Sequence, residues 1–381
     1  MDKKIIFLTS TRADFSHQKV LIDKCVESDG FSPFIFVTGT HMNKEYGETV
    51  QEVNKCNYDN VFYFLNYEKG DTMDIVLSKT IAGFSDCVKK TNPDLIVVFA
   101  DRFEAMAGAI VGSFNNILTV HVQSGDISGT IDNSIRHAIS KLCHSHMVSS
   151  RNSFNRLSSM GEVSDHIWYI GTPGLDSILD NNFDNIYSVK HKHNITFDDY
   201  SIFVFHPVTT ELEMIEEQIH NAIEAIIESS RNYIIIDPNC DMGSYLIRDY
   251  YAKIKYPDNI KIFKSFSHKD FLTLLKYSNF IIGNSSAGII EAPFMGVPSI
   301  NIGSRQDGRS LSDSILNCDC KKDDILKAID KMFDAKFEKS YSYGYGDSGE
   351  RFIDILRDEE FWEIRKQKKY EFKNNSKRAS V

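Results

Sequence analysis

The stretch from Asp94 to His137, DLIVVFADRFEAMAGAIVGSFNNILTVHVQSGDISGTIDNSIRH, decides the fold class of this 381-residue chain. The run Leu95–Phe99 is apolar without alternation, as expected of a strand buried on both faces. A polar turn, a helical segment, a second apolar run at Leu118–Val122, a glycine-bearing loop and a further helical stretch from Asp132 follow. Strand, helix and strand in that order build a parallel sheet with right-handed crossovers.

Outward from this unit the same alternation covers most of the chain. Strands are expected at Lys4–Thr9, Pro33–Thr38, Asn60–Phe64, Asp94–Ala100, Leu118–Val122, His146–Ser149 and His166–Ile170, with helices such as Asp71–Thr91 and Asp132–Cys143 between them. A second series begins at Ser201–Phe205 and continues with Tyr233–Asp237, Ile260–Phe263, Phe280–Gly283 and Ser299–Ile302. The Asn- and Asp-rich stretch 173–200 reads as a linker. The expected architecture is α/β, with two Rossmann-like doubly wound domains facing a cleft. The first spans 1–172 and the second 201–357; a C-terminal helix, 358–372, rejoins the first, and 373–381 form a disordered tail.

Composition limits the function classes. With 42% hydrophobic and 25% charged residues the chain supports a sizeable core. Its net charge of −10 argues against nonspecific nucleic-acid or anionic-membrane binding. The apolar run Ile5–Leu8 is too short for a signal-peptide core, and no apolar stretch approaches a membrane span. The odd number of cysteines, 7, mostly scattered, fits reduced thiols in the cytoplasm, and the single pair Cys318–Cys320 is a poor zinc site. No metal, nucleic-acid or membrane partner is expected.

Ligands of open parallel sheets bind beyond the carboxyl ends of the strands, so the polar residues there are the candidates for chemistry. After the first strand comes Thr9–Asp14, where Arg12 offers a planar fork to a diphosphate or carboxylate; the alternative is a solvated loop with a helix cap. Asp101 and Arg102 follow the fourth strand, either as a sugar-phosphate site or with Asp101 merely capping a helix. The segment His121–His137 gathers Gln123, Asp126, Asp132 and Arg136, types suited to proton transfer, although Asp132 and Arg136 are also spaced as a surface helix pair. His144 and His146 share a strand face and read as structural. His206, a catalytic candidate able to contact a phosphate or act as an acid, stands between a strand and a helix that Thr210 and Glu213 would box-cap, with Asn239 in a companion turn. The run Gly283–Glu291 has small residues opening a helix, an anion site in which Ser285 and Ser286 precede Glu291, a carboxylate placed in the second turn for ribose hydroxyls. Arg305 lies on the next loop. The chain has neither GxGxxG nor GxxxxGK[ST], which excludes the ordinary dinucleotide and P-loop readings.

Taken in order, the blocks TSTRAD, DRFEA, HVQSGDISGTIDNSIRHAISKL, FHPVTT, PNCDMGS, GNSSAGIIEAP and NIGSRQDGR, over about residues 4–310, resemble the hydrolysing UDP-N-acetylglucosamine 2-epimerases of sialic acid biosynthesis and their relatives that make legionaminic-type precursors. The resemblance implies a glycosyltransferase-B-like fold, no cofactor or metal, and a homo-oligomer, dimer or tetramer. It implies conversion of a UDP-sugar and water to the free 2-epimer and UDP, by elimination to a glycal and rehydration. By matching positions, Asp101 and Asp132 are catalytic carboxylates, His206, Arg12 and Arg102 hold diphosphate or sugar, Asn239 reaches the sugar, and Ser285, Ser286, Glu291 and Arg305 grip UDP. Gln123 stands where some members carry Glu, so the missing carboxylate role passes to Asp126; Ala100 stands where Gly is usual. A non-hydrolysing epimerase, a glycosyltransferase on the same scaffold and a catalytically silent nucleotide-sugar-binding protein remain open, as does the choice between N-acetyl and 2,4-diacetamido sugars and between UDP and GDP.

Overall fold

A computed structural model describes residues 2–43, 49–68, 70–129, 131–179, 183–239 and 242–371. The chain divides into two compact units: Met1–Asp126, Asp132–Asp176 and Gly344–Val381 form unit 1, and Ile127–Ile131 with Ser177–Tyr343 form unit 2.

Unit 1 is built on a seven-stranded parallel sheet of β1 (Lys3–Thr9), β2 (Phe31–Val37), β3 (Val61–Tyr63), β4 (Leu95–Phe99), β5 (Leu118–Val122), β6 (Ser145–Val148) and β7 (Ile167–Tyr169), in the order β3-β2-β1-β4-β5-β6-β7. Its helices begin with α1 (Arg12–Glu27), α2 (Val50–Asn54), α3 (Met73–Thr91), α4 (Phe103–Phe114), α5 (Asp132–Leu142) and α6 (Arg151–Ser159). Side chains alternate across the sheet: Ile5 and Phe7 pack with Leu21 and Ile22 of α1, while Ile6 and Leu8 pack with Phe84 of α3 and Ala105 and Ala109 of α4. Burial of both faces explains why the strands read as continuous apolar runs. The strand order reverses between β1 and β4, which brings the ends of those two strands together at the switch point.

Unit 2 repeats the scheme with a six-stranded parallel sheet, β8 (Ser201–Val204), β9 (Tyr233–Ile236), β10 (Ile260–Phe263), β11 (Ile281–Gly283), β12 (Ser299–Ile302) and β13 (Ile315–Cys318), ordered β10-β9-β8-β11-β12-β13. Helices α7 (Asp176–Leu179), α8 (Ile186–Lys192), α9 (Ile215–Glu228), α10 (Ser244–Lys253), α11 (His268–Lys276), α12 (Glu291–Met295) and α13 (Lys322–Met332) belong to its sequence span, the unit boundary falling inside α7. Phe203, Ile235, Ile282 and Ile300 face α9 and α13, and Ile202, Val204, Ile234 and Ile281 face the opposite layer. Its switch point lies between β8 and β11. The last two helices, α14 (Ser348–Arg357) and α15 (Glu359–Trp362), return to unit 1. Among the described residues no helix is long and apolar enough to cross a membrane.

Several expected boundaries move. The stretch 173–200 is no linker: it forms α7 and α8 and sends Val189, Ile195 and Tyr200 into the core of unit 2. The chain leaves unit 2 after Tyr343 rather than at 357, and the returning helix is α14, not a helix over 358–372. The reason is burial. Phe352, Ile353 and Leu356 lie on one face of α14 and enter the core beside Ile5 and Phe7, whereas the described residues beyond Trp362, 363–371, form no helix. Strand β13 was not expected, because ILNC at a sheet edge is short and only half-buried. The proposed tail, 373–381, lies outside the described residues.

The placement of α14 is testable. Phe352 is fully buried, with its ring 6.2 Å from that of Phe7, so Phe352→Ala is expected to lower the free energy of urea unfolding of unit 1 by about 3–5 kcal/mol. A loss under about 1 kcal/mol, the ordinary surface range, would mean that α14 is not seated in that core.

Candidate active site

The loop after β1 is tied by one carboxylate. Thr11 caps α1 and Asp14 returns the bond, a capping box. Asp14 also accepts from the Ser10 amide (3.0 Å), the Ser10 hydroxyl (2.8 Å) and the Thr9 hydroxyl, while His41 Nε2 lies 3.0 Å from Thr9 Oγ1. Arg12, the first residue of α1, is thereby fixed at its backbone and keeps a half-exposed side chain 4.0 Å from Glu52. Burial pushes the Glu52 carboxyl up, and Arg12 opposes this.

After β4 and β5 the backbone turns through left-handed residues, Ala100 at φ +56° and Gln123 at φ +59°. This conformation costs a residue with a Cβ roughly 1–2 kcal/mol, and a glycine in place of Ala100, as the family resemblance expects, would avoid that cost. Beyond the first turn stands Asp101, and beyond the second the loop leads to α5. The two meet at Arg136. Its side chain is 4% exposed; Nη2 bonds the Asp101 carboxylate, Nη1 donates to the Gln123 carbonyl at 3.1 Å, and Nη1 lies 3.9 Å from Asp126. The expected surface pair of Asp132 with Arg136 therefore gives way to a buried hub. Asp132 occupies the first position of α5, where the positive helix end favours a carboxylate.

Asp126 does not suit the base role assigned to it. It is 3% exposed and accepts from the Ser149 hydroxyl at 2.9 and 3.1 Å and from the Ser153 hydroxyl, so its lone pairs are engaged in holding the loop. His121 is likewise structural: Nε2 donates to the Ala100 carbonyl at 2.7 Å, Nδ1 faces Ser140 Oγ at 2.9 Å, and burial keeps the ring neutral. Arg102 sits at the N-cap position of α4, with no side-chain cap from Asp101, and donates from Nε to the buried Glu104 at 3.3 Å. His144 accepts the Thr119 amide, and His146 bonds Glu162, roles internal to the fold.

In unit 2 an uncharged residue is the organiser. The Asn284 side chain accepts the His206 amide at 2.6 Å and donates to the His206 carbonyl at 2.8 Å, and the Asn284 backbone carbonyl accepts from Arg305 Nη1 and Gln306 Nε2, each at 3.0 Å. His206 Nδ1 accepts the Asn239 amide at 3.0 Å, which leaves Nε2 as the protonated nitrogen. Burial and the nearby Arg305 hold the His206 pKa well below its usual value, so the ring is a neutral donor rather than a positive charge. Glu291 is buried, its Oε2 has no partner, and burial pushes its pKa up to about 7.

The expected anion-binding helix is reduced. Ser286–Gly288 form a single 3-10 turn, α12 has only five residues with Pro293 inside it, and Glu291 is its first residue, not in its second turn. So short a helix supplies little dipole, and the Ala287 amide is already taken by Ser285 Oγ at 3.3 Å. The Thr210–Glu213 box is absent; Glu211 instead binds Ser304 and Gln218 (2.7 Å), joining the start of α9 to the Arg305 loop. Among the described residues no group of three or more His, Cys, Asp or Glu is placed to hold a metal ion.

Asn284 was missed as a functional residue, and Arg136, gathered with the proton-transfer candidates, was not given the role of a hub. The sequence signal for each was proximity to a site motif, but their partners are distant in the chain. Arg136→Met would strand the buried Asp126 and uncouple Asp101, so urea unfolding should show a loss of about 3–5 kcal/mol. A loss below 1 kcal/mol would show that the hub is not a stabilising element.

The chain is similar to known proteins over nearly its whole length. A family model described as UDP-N-acetylglucosamine 2-epimerase matches residues 23–357. A UDP-N-acetylglucosamine 2-epimerase of Neisseria meningitidis serogroup B is 38% identical over 372 residues, 97% of this chain and 98% of that protein. The UDP-N,N'-diacetylbacillosamine 2-epimerase (hydrolyzing) of Legionella pneumophila is 33% identical over 364 residues, covering 94% and 96%. The solved Methanocaldococcus jannaschii UDP-GlcNAc 2-epimerase, in complex with UDP-GlcNAc and UDP, has the same fold, with a TM-score of 0.80 at 21% identity over 94% of this chain and 99% of its own. With the family model spanning both units and these relatives matching nearly end to end, the chain belongs to the UDP-N-acetylglucosamine 2-epimerase family.

Proposed function

We propose that the chain is a hydrolysing 2-epimerase that converts UDP-N-acetylglucosamine, or a UDP-2,4-diacetamido sugar, and water to the free 2-epimer and UDP. The observation that carries this reading is the pair of carboxylates gathered about Arg136: Asp101, 21% exposed and bonded to it, and Asp132, one helical turn before it. The hydrolysing character is supported by the similarity to the Legionella pneumophila relative named as such.

Unit 1 then carries the sugar chemistry. One of Asp101 and Asp132 removes the C2 proton while the C1–O bond to UDP breaks, leaving a glycal. The elements of water then add, hydroxyl to C1 and a proton to C2 from the opposite face, which requires a second group as acid. Asp126 serves by positioning Arg136, and the buried Gln123 supplies the carbonyl that orients it. Arg12 and Arg102 receive diphosphate or sugar. Unit 2 grips UDP: Glu291 accepts the ribose hydroxyls, Arg305, Ser285 and Ser286 bind phosphate, His206 donates through Nε2, and Asn239 reaches the sugar.

Turnover of UDP-N-acetylglucosamine in D₂O should yield free N-acetylmannosamine with one deuteron at C2 and an equal amount of UDP. Recovery of a UDP-linked 2-epimer without net UDP would instead make the enzyme non-hydrolysing. Arg305→Ala should weaken UDP binding, whereas Asp132→Asn should spare it and abolish most turnover; equal loss of binding in both would refute the division of roles. Because Glu291 accepts ribose hydroxyls best when ionised and its pKa lies at about 7, affinity for the UDP-sugar, measured with Asp132→Asn, should rise up to about tenfold between pH 6 and 8. Glu291→Gln should flatten that profile; an unchanged slope would remove Glu291 from the ribose site.

A further inference from the structure

The segment beyond α15 has no part in the chemistry above, yet it is bonded to the last turn of the helix that carries Asp132 and Arg136, and to the chain that follows α5 and α6. The Lys366 carbonyl accepts from His144 Nε2 at 2.9 Å, the Tyr370 hydroxyl lies 3.4 Å from the Lys141 carbonyl, and the Glu371 amide donates to the Gly161 carbonyl at 2.9 Å. Gly161 has φ +87°, and a Cβ there would stand 3.0 Å from the Glu371 carbonyl oxygen, so glycine permits the close approach of this strap.

Lys368 is its centre. On a side chain 14% exposed, Nζ donates to the Ser140 carbonyl (2.8 Å) and the Lys141 carbonyl (3.0 Å) and lies 2.6 Å from Glu162 Oε2. Both carbonyls belong to the last turn of α5, where a helix has no backbone partners of its own, and an ammonium there also meets the negative helix end. Glu162 is fully buried; it accepts as well from His146 Nε2 on β6 (3.0 Å), and its other carboxylate oxygen forms an ion pair with Lys141 Nζ at 2.9 Å. Burial alone would raise its carboxyl; the bonds from His146 and Lys368 overcome this and pull it down to about 2. From the same turn, Ser140 Oγ bonds the Arg136 carbonyl at 3.1 Å and His121 Nδ1 at 2.9 Å, and His121 reaches the carbonyl of Ala100, the residue before Asp101. The strap thus fixes one end of α5 and the hub residue occupies the other.

We propose that Lys368 is a positioning residue for the reaction: by bonding the last-turn carbonyls of α5 and Glu162, it sets the placement of the helix that presents Asp132 and Arg136. The inference rests on the epimerase reading. A strap serving stability alone would lower the melting temperature and leave the turnover of each folded molecule unchanged.

The test uses the full chain with Lys368→Met and Lys368→Arg, with turnover expressed per UDP-binding site counted by UDP titration. Because UDP is assigned to unit 2 and Lys368 to unit 1, UDP affinity is expected to stay within twofold in both variants. Lys368→Met should lower kcat at least tenfold, and Lys368→Arg, whose guanidinium can bond the same carbonyls and Glu162, should keep it within threefold. The inference is overturned by wild-type turnover per site in Lys368→Met, by UDP affinity falling in parallel, or by no rescue in Lys368→Arg. Amide exchange over residues 132–136 supplies a readout that needs no turnover: it should accelerate in Lys368→Met only, and unchanged exchange also overturns the inference. If the wild-type protein itself releases no UDP, the hydrolysing reading falls, and if it also forms no 2-epimer the epimerase reading falls with it; the exchange result then alone decides the role of Lys368 in placing α5.

Discussion

A guanidinium withdrawn from water must be given acceptors, because an uncompensated buried charge costs several kcal/mol. Arg136 is given them by two strand ends, Asp101 after β4 and the Gln123 carbonyl and Asp126 after β5, and a third braces them, because serines that follow β6 hold Asp126. Each partner is thereby held in place by the requirement to satisfy the same cation. The left-handed turns at Ala100 and Gln123 persist because this network over-determines them. A parallel sheet makes such convergence possible, since all its strands end at one edge. The hub makes it specific.

Unit 2 reaches a comparable rigidity without burying a charge pair. The Asn284 side-chain amide satisfies both backbone groups of His206, and the Asn284 backbone carbonyl collects Arg305 and Gln306. In this neutral clamp Arg305 supplies the positive charge, and His206 contributes a dipole. For a chain of net charge −10 that receives an anionic nucleotide sugar in the proposed reaction, attraction must be local and must come from the arginines.

The parallel αβ alternation and the strand ends were legible in the sequence because both-face burial writes continuous apolar runs; Leu118–Val122, Ile260–Phe263 and Ser299–Ile302 have the expected limits. What escaped depends on contacts between distant residues. The spacing of Asp132 and Arg136 obeys the helix-neighbour rule, but the true partner of Arg136 lies 35 residues away. Asp126 looked like a free carboxylate because nothing local reveals Ser149 and Ser153 as its donors. The stretch 173–200 resembled a linker by its Asn and Asp content, while its few apolar residues, Val189, Ile195 and Tyr200, were the ones that mattered. In α14, charge and glycine around a short apolar face hid a helix whose fate is set by the core it joins.

The path of the chain bears on how the molecule comes into being. Synthesis normally lets an N-terminal domain finish first. Here unit 1 lacks the layer supplied by Phe352, Ile353 and Leu356 until the last part of the chain emerges, whereas nearly all of unit 2 is the single run Ser177–Tyr343. The nucleotide-sugar epimerase therefore closes its first unit last, and the Ile5–Phe7 face of β1 must wait, partly uncovered, through most of translation.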